Sequence, residues 1–129
     1  MQTLKDMMAA AREEIEKITP ERANELAEDG AMLLDIRDSA EIGVTGTAKG
    51  AVTVPRGMLG FRADPDSPYH LEGFDRERPV VIFCASGGRA FLAGKTLKDM
   101  GFQAVYNLGG FKEWKEAGLP LDAPADPGI

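Results

Sequence analysis

The chain has little of what builds many functional sites. It contains one cysteine and one histidine in 129 residues. A single cysteine cannot close an internal disulfide, so nothing implies an oxidising compartment. One Cys and one His are also too few for a four-ligand zinc site of the usual kind. No apolar run approaches the ~20 residues that cross a bilayer. Met1 to Lys17 mixes charges of both signs and lacks the apolar centre of a signal peptide. Positive charge is scarce as well, with 15 Lys plus Arg against 21 Asp plus Glu and a formal charge of −6. Backbone-directed nucleic-acid binding and polybasic membrane anchoring both need clustered cations, so neither partner is expected. The expectation is a soluble cytoplasmic protein.

What is present suits one globular domain: 43% hydrophobic and 28% charged residues, in a length typical of single cores. Leu4, Met8, Ala11 and Ile15 recur at helical spacing, so residues 1–17 are expected to form an amphipathic helix that packs on the domain. Thr19-Pro20-Glu21 combines a capping hydroxyl, a proline suited to the first turn and an acid at the positive end of the dipole. The helix it starts should end near Gly30. Ala31 to Ile36 reads as a buried strand, with Asp35 and Arg37 at its carboxyl end. A glycine-bearing connection (Gly43, Gly46, Gly50) then leads to a short strand over 51–54. Residues 56–78 read as mostly irregular, with a short helix at Met58–Phe61 and strong turn chemistry over residues 64–68.

Val80-Val81-Ile82-Phe83 carries the strongest strand signal and runs into Cys84. Leu92, Thr96, Leu97 and Met100 follow a helical period closed by Gly101. A strand at 104–106 and a helix from Phe111 to Ala117 complete the domain over residues 18–121, and the tail over 122–129 is expected to be loosely ordered. Short strands alternating with helices predict an α/β fold with a parallel sheet.

In such sheets ligands bind at the carboxyl ends of the strands. Cys84-Ala85-Ser86-Gly87-Gly88-Arg89 occupies that position, between the strongest strand and a helix. Gly87 and Gly88 let successive amides turn inward as an anion-binding nest, and the helix adds its positive end. A cysteine in that cradle is expected to spend more time as thiolate, its nucleophilic form. Arg89 supplies a fixed cation whose fork suits an oxyanion. A lone cysteine after an apolar strand is otherwise an inert core residue; the glycine pair and the arginine argue against that.

These residues resemble the single-domain rhodaneses, a family of sulfurtransferases, across roughly residues 17–121. Leu34-Asp35-Ile36-Arg37-Asp38 with Glu41, then Gly50-Ala51-Val52 through Pro55, is similar to the family's first block. Cys84 to Arg89 is similar to its active loop. Asn107-Leu108-Gly109-Gly110-Phe111 with Trp114 and Ala117-Gly118-Leu119-Pro120 is similar to its closing block. The resemblance implies an open parallel sheet of about five short strands with helices on both faces. It also implies transfer of sulfur from thiosulfate or a similar donor through a Cys84 persulfide, with Ala85, Ser86, Gly87, Gly88 and Arg89 binding the anion. The acceptor would be cyanide, a small thiol or a protein thiol. No cofactor and no metal is implied.

The chain departs from the family in two places. Thr47 stands where many relatives have His, and Ala90 where a Ser or Thr often follows the arginine. Cysteine phosphatases, including rhodanese-like ones, and similar arsenate reductases carry C-x5-R. Four residues separate Cys84 from Arg89, a tighter ring suited to one sulfur atom. Asp35 and Arg37 are expected to support the pocket wall, and Arg56 and Arg62 are candidates for meeting an anionic donor, with Lys49 a weaker one. His70 is expected to be a loop residue; Phe111, Trp114, Met7 and Met8 are expected to pack. The alternative function is a rhodanese-fold interaction or redox-sensing module with little turnover.

Overall fold

Residues apolar at every position need cover on two faces, and they take the middle of the sheet. The computed structural model describes residues 1–123. The order is α1 (Leu4–Glu14), β1 (Glu16–Lys17), α2 (Pro20–Glu28), β2 (Met32–Asp35), α3 (Ser39–Thr45), β3 (Thr47–Ala48) and β4 (Val52–Thr53). A 3-10 turn (Arg56–Met58) leads into α4 (Leu59–Ala63), followed by β5 (Val80–Cys84), α5 (Gly88–Asp99), β6 (Val105–Gly110), α6 (Phe111–Glu116) and β7 (Leu121–Asp122). The main sheet is parallel throughout, in the order β1-β6-β5-β2-β4. Its two central strands, β2 and β5, are buried along their whole length.

Side chains alternate across the pleat, and the alternation sorts the core. Met32 and Leu34 of β2, with Val80, Ile82 and Cys84 of β5, pack against Ile15, Leu59, Ala90, Ala93 and Leu97 from the α1, α4 and α5 side. Leu33, Val81 and Phe83 point the other way, onto Ala23 of α2 and Phe111 and Trp114 of α6. The fold is therefore the expected five-stranded parallel α/β sheet with helices on both faces. No described helix is long and apolar enough to cross a membrane.

The N-terminal stripe is buried from its middle onward. Ala11 and Ile15 are buried, Met8 is half-buried and Leu4 is 66% exposed. α1 lies against α5, where Gly94 leaves room for Ile15: a Cβ there would stand 3.0 Å from Ile15 Cγ1.

Several elements differ from the sequence reading. The helix expected over residues 1–17 ends at Glu14, and Glu16–Lys17 pair with β6 as β1; Thr47–Ala48 form β3 inside the expected glycine-bearing connection. Residues 39–45 form α3 rather than an open connection. None of its side chains is buried, so it has no apolar period to reveal it; a capping box closed by Asp38 and Glu41 holds its start. α5 begins at Gly88, a full turn earlier than its apolar period suggests. The chain after Gly118 returns to pair β7 with β3 in a small antiparallel ladder, supported by Trp114 Nε1 donating to the Pro120 carbonyl at 2.8 Å. Asp122 thus belongs to a strand, and residues 124–129 of the expected loose tail lie outside the described residues.

Candidate active site

β5 ends on Cys84, which is 1% exposed with its side chain on the α5 side of the sheet. The chain turns at Gly87, whose φ of +107° is a left-handed conformation that a side chain would strain. That turn brings the Gly87 N–H to the Cys84 sulfur at 3.0 Å. α5 begins with the next residue, so its first amides have no partner inside the helix and its positive end is close to the sulfur. Ala85 and Ser86 are exposed, Gly87 is buried, and Gly88 and Arg89 are half-buried.

The loop is backed by the end of β6. Asn107, fully buried, donates from Nδ2 to the Gly87 carbonyl at 3.1 Å and accepts from the Gly109 N–H at 2.7 Å. Gly110 has no room for a side chain, because a Cβ there would collide with the Ala85 carbonyl oxygen. Neither role was read from the sequence, although both residues stand in the closing block. The available signal was a polar side chain immediately before a Leu-Gly-Gly run in an otherwise apolar strand.

Arg89 does not face the loop as a free fork. Its two terminal nitrogens donate to Glu41 at 2.8 and 3.0 Å. Hydrogen bonding from Arg89, opposed by burial and reinforced by the Asp38 amide, holds the Glu41 carboxyl down at about 2. The same bond, with burial opposing it, holds Arg89 far above its ordinary range, and the charge of Cys84 acts in the same direction. The capping-box spacing of Asp38 and Glu41 was legible, but the partner 48 residues away was not.

Asp35 and Arg37 form a buried pair, 0% and 3% exposed, with a closest distance of 2.8 Å. Arg37 also donates to Thr45 Oγ1 and the Gly46 carbonyl, and its guanidinium lies 4.3 Å over the Phe111 ring. Thr47, which the resemblance sets in place of a His, donates its hydroxyl to Asp35 Oδ2 at 2.7 Å. A hydroxyl therefore supplies a donor to the carboxylate there. Ala90, the other departure, lies in the first turn of α5 and places its methyl group in the core.

A cavity of about 340 Å³ opens at Arg89, the one residue of the loop that lines it, with Ile36, Asp38, Arg56, Leu59 and Thr96 among the others. Arg56 has no ion-pair partner among the described residues. Arg62 does not line this cavity; it donates to the Tyr69 carbonyl at 3.4 Å on the exposed surface. His70 belongs to a separate cavity of about 400 Å³ that shares no lining residue with the first, and its ring faces the Phe74 carbonyl. Lys49 is exposed and lines neither cavity. No group of three or more His, Cys, Asp or Glu that could hold a metal occurs among the described residues.

A parallel sheet that delivers a cysteine, a glycine turn and a helix N-terminus at its carboxyl edge defines a cysteine-loop α/β protein. The chain belongs to the rhodanese-like family: the rhodanese-like domain matches residues 19–117. It is 32% identical to the thiosulfate sulfurtransferase GlpE of Actinobacillus succinogenes over 108 residues, covering 82% of this chain and 89% of that one. Among solved structures it is similar to a Rhodopseudomonas palustris protein of unknown function described as a possible tyrosine phosphatase. The TM-score is 0.85 and the identity 37%, over 95% of this chain and 96% of that one. It is also similar to the polysulfide-sulfur transferase homodimer of Wolinella succinogenes, with a TM-score of 0.71 and 32% identity over 97% and 90% of the two chains. Family membership and likeness to sulfurtransferases support sulfur transfer in general.

Proposed function

We propose that the protein is a sulfurtransferase that carries sulfane sulfur on Cys84. The observation that carries this reading is the Gly87 N–H donating to the Cys84 sulfur at 3.0 Å, in a glycine turn that leads into the N-terminus of α5. Amides fixed in advance around an atom stabilise charge on it without reorganising during the reaction.

The Cys84 thiolate attacks the outer sulfur of thiosulfate, forming a new S–S bond as the bond to the sulfonate sulfur breaks. Sulfite leaves with that electron pair, and Cys84–S–S⁻ remains. An acceptor anion, cyanide or a thiolate of a small molecule or protein, then attacks the outer sulfur. The Cys84 thiolate departs and the cycle closes, giving thiocyanate or a new persulfide. Charge balances in both steps, so no external oxidant or cofactor enters. The amides of residues 85–89 hold the terminal sulfur, and Arg56 meets the anionic donor at the cavity. A lone working thiol fits a reducing compartment such as the cytoplasm.

Two alternatives are separable. The description of the Rhodopseudomonas neighbour suggests phosphoryl transfer. Against this, four residues lie between Cys84 and Arg89, and Glu41 already neutralises Arg89; a short loop holding one terminal sulfur by its amides needs neither the longer ring nor the free arginine that would clasp a phosphoryl group on the cysteine. The near-complete burial of Cys84 favours the second alternative, a sensing module with little turnover.

Intact mass after incubation with thiosulfate tests the proposal. A gain of one sulfur atom, lost on reduction and absent in Cys84→Ser, is expected, together with thiocyanate release when cyanide is added. Sulfur uptake without turnover would support the sensing module. Hydrolysis of p-nitrophenyl phosphate with no sulfur uptake would support the phosphatase reading.

A further inference from the structure

From the hydrogen bonds at the end of β6, we infer that Asn107 is a positioning residue for the sulfur cradle; its catalytic consequence rests on the sulfurtransferase reading above. β5 and β6 run in register up to Ile82 opposite Asn107 and then slip, so that Phe83 faces Gly109. Beyond the slip Gly109 takes a φ of +103°, and the Asn107 side chain accepts its N–H at 2.7 Å. An amide side chain with its oxygen committed in this way has its nitrogen free to donate, and Nδ2 donates to the Gly87 carbonyl at 3.1 Å.

That carbonyl has one other donor, the Phe91 N–H at 3.2 Å, which belongs to the first turn of α5. The helix therefore fixes the carbonyl relative to itself, and Asn107 fixes it relative to the sheet. In a planar trans peptide the C=O and the following N–H point in opposite directions. Drawing the Gly87 carbonyl toward β6 turns the Gly88 N–H away from β6, into the cradle. The Ala85 carbonyl packs against Gly110 in the same sense, which turns the Ser86 N–H inward. Gly110 contributes only space to this arrangement. Asn107 contributes the hydrogen bonds, one of them to the residue whose own N–H holds the Cys84 sulfur. It touches no reacting atom and acts through the loop.

Two variants test this. Asn107→Asp keeps the acceptor for Gly109 and replaces the donor with an oxygen facing the Gly87 carbonyl. Asn107→Ser keeps a polar group near Gly109 but is too short to reach Gly87. Amide hydrogen exchange at Gly87 and Gly88 is expected to accelerate on the order of tenfold in both, with the β2 amides unmoved. In sulfur transfer from thiosulfate, kcat is expected to fall ~10–100-fold with KM for thiosulfate little changed, because the cradle stabilises the charge that develops on sulfur rather than the bound donor. Unchanged loop exchange or unchanged kcat in a folded variant overturns the inference. If neither variant folds, Asn107 belongs to the fold alone and the inference is again overturned. A wild-type protein that takes up no sulfur defeats the sulfurtransferase reading instead, and the exchange measurement still decides the role of Asn107.

Discussion

A charge pair and a lone cation near the carboxyl end of the sheet show how burial decides a residue's task. Asp35 and Arg37 are sealed away, and beyond each other their side chains bond the Thr45 and Thr47 hydroxyls and the Gly46 carbonyl, with the guanidinium over the Phe111 ring. Removing one partner of such a pair leaves an uncompensated buried charge. Asp35→Ala is therefore expected to cost ~3–5 kcal/mol in urea unfolding. Thr47→Val, which removes one donor to the same carboxylate, should cost about 1–3 kcal/mol. A loss below that range in both would mean that water replaces the missing partners. Arg56 is the opposite case, an exposed cation on the cavity wall with no partner to lose. Arg56→Gln should leave stability within about 0.5 kcal/mol of wild type. It should raise KM for thiosulfate ~10-fold, the loss of one charge-assisted contact, with kcat held. An unchanged KM would remove Arg56 from the donor site.

At the scale of elements, the working part is the run from β5 through the cysteine turn into α5, and its precision depends on how α5 is seated. α1 presses Ile15 into the notch at Gly94, with three Ile15 carbons at 3.0–3.2 Å from where a Cβ would stand. Ile15 is itself 2% exposed and has little room to give. The gain in helix propensity on replacing glycine is outweighed by this crowding, so Gly94→Val should destabilise by ~1–3 kcal/mol. Thermal unfolding checks this, and a stabilised variant would show that α1 is free to move off α5. Elements with an apolar period or a capped start were legible in the sequence: β2, β5, α2 and the body of α5. Others left no local trace. α3 buries nothing; β1, β3 and β7 have two residues each, and β3 finds its partner more than 70 residues away. The candidate site divides in the same way. The Cys84 loop lies in one continuous stretch and could be read. The Arg89–Glu41 pair and the Asn107 tie are made by folding, and only the three-dimensional structure shows that the arginine is already occupied.

For the molecule as a whole, that occupied arginine links stability to acidity. The Glu41–Arg89 pair joins α3 to the first turn of α5, across the carboxyl end of the sheet. The Glu41 carboxyl is lowered in the folded protein from the ordinary 4.5 to about 2. The unfolded chain therefore binds a proton at a pH where the folded one does not. The resulting stability is fully present above about pH 4.5 and is lost as pH falls toward about 2. Its size is set by exposure: the two side chains are 34% and 35% exposed, so water and salt screen them, and ~1 kcal/mol is the reasonable ceiling. Glu41→Gln keeps the shape and the capping interaction with Asp38 while removing the titrating charge. The difference in unfolding free energy between wild type and this variant, measured in urea, should be greatest near neutral pH. It should shrink through about pH 4 and close near pH 2, and added salt should reduce it at neutral pH. A difference constant across that range would trace the contribution of Glu41 to shape and capping rather than to charge, and would leave Arg89 available to an anion in the loop.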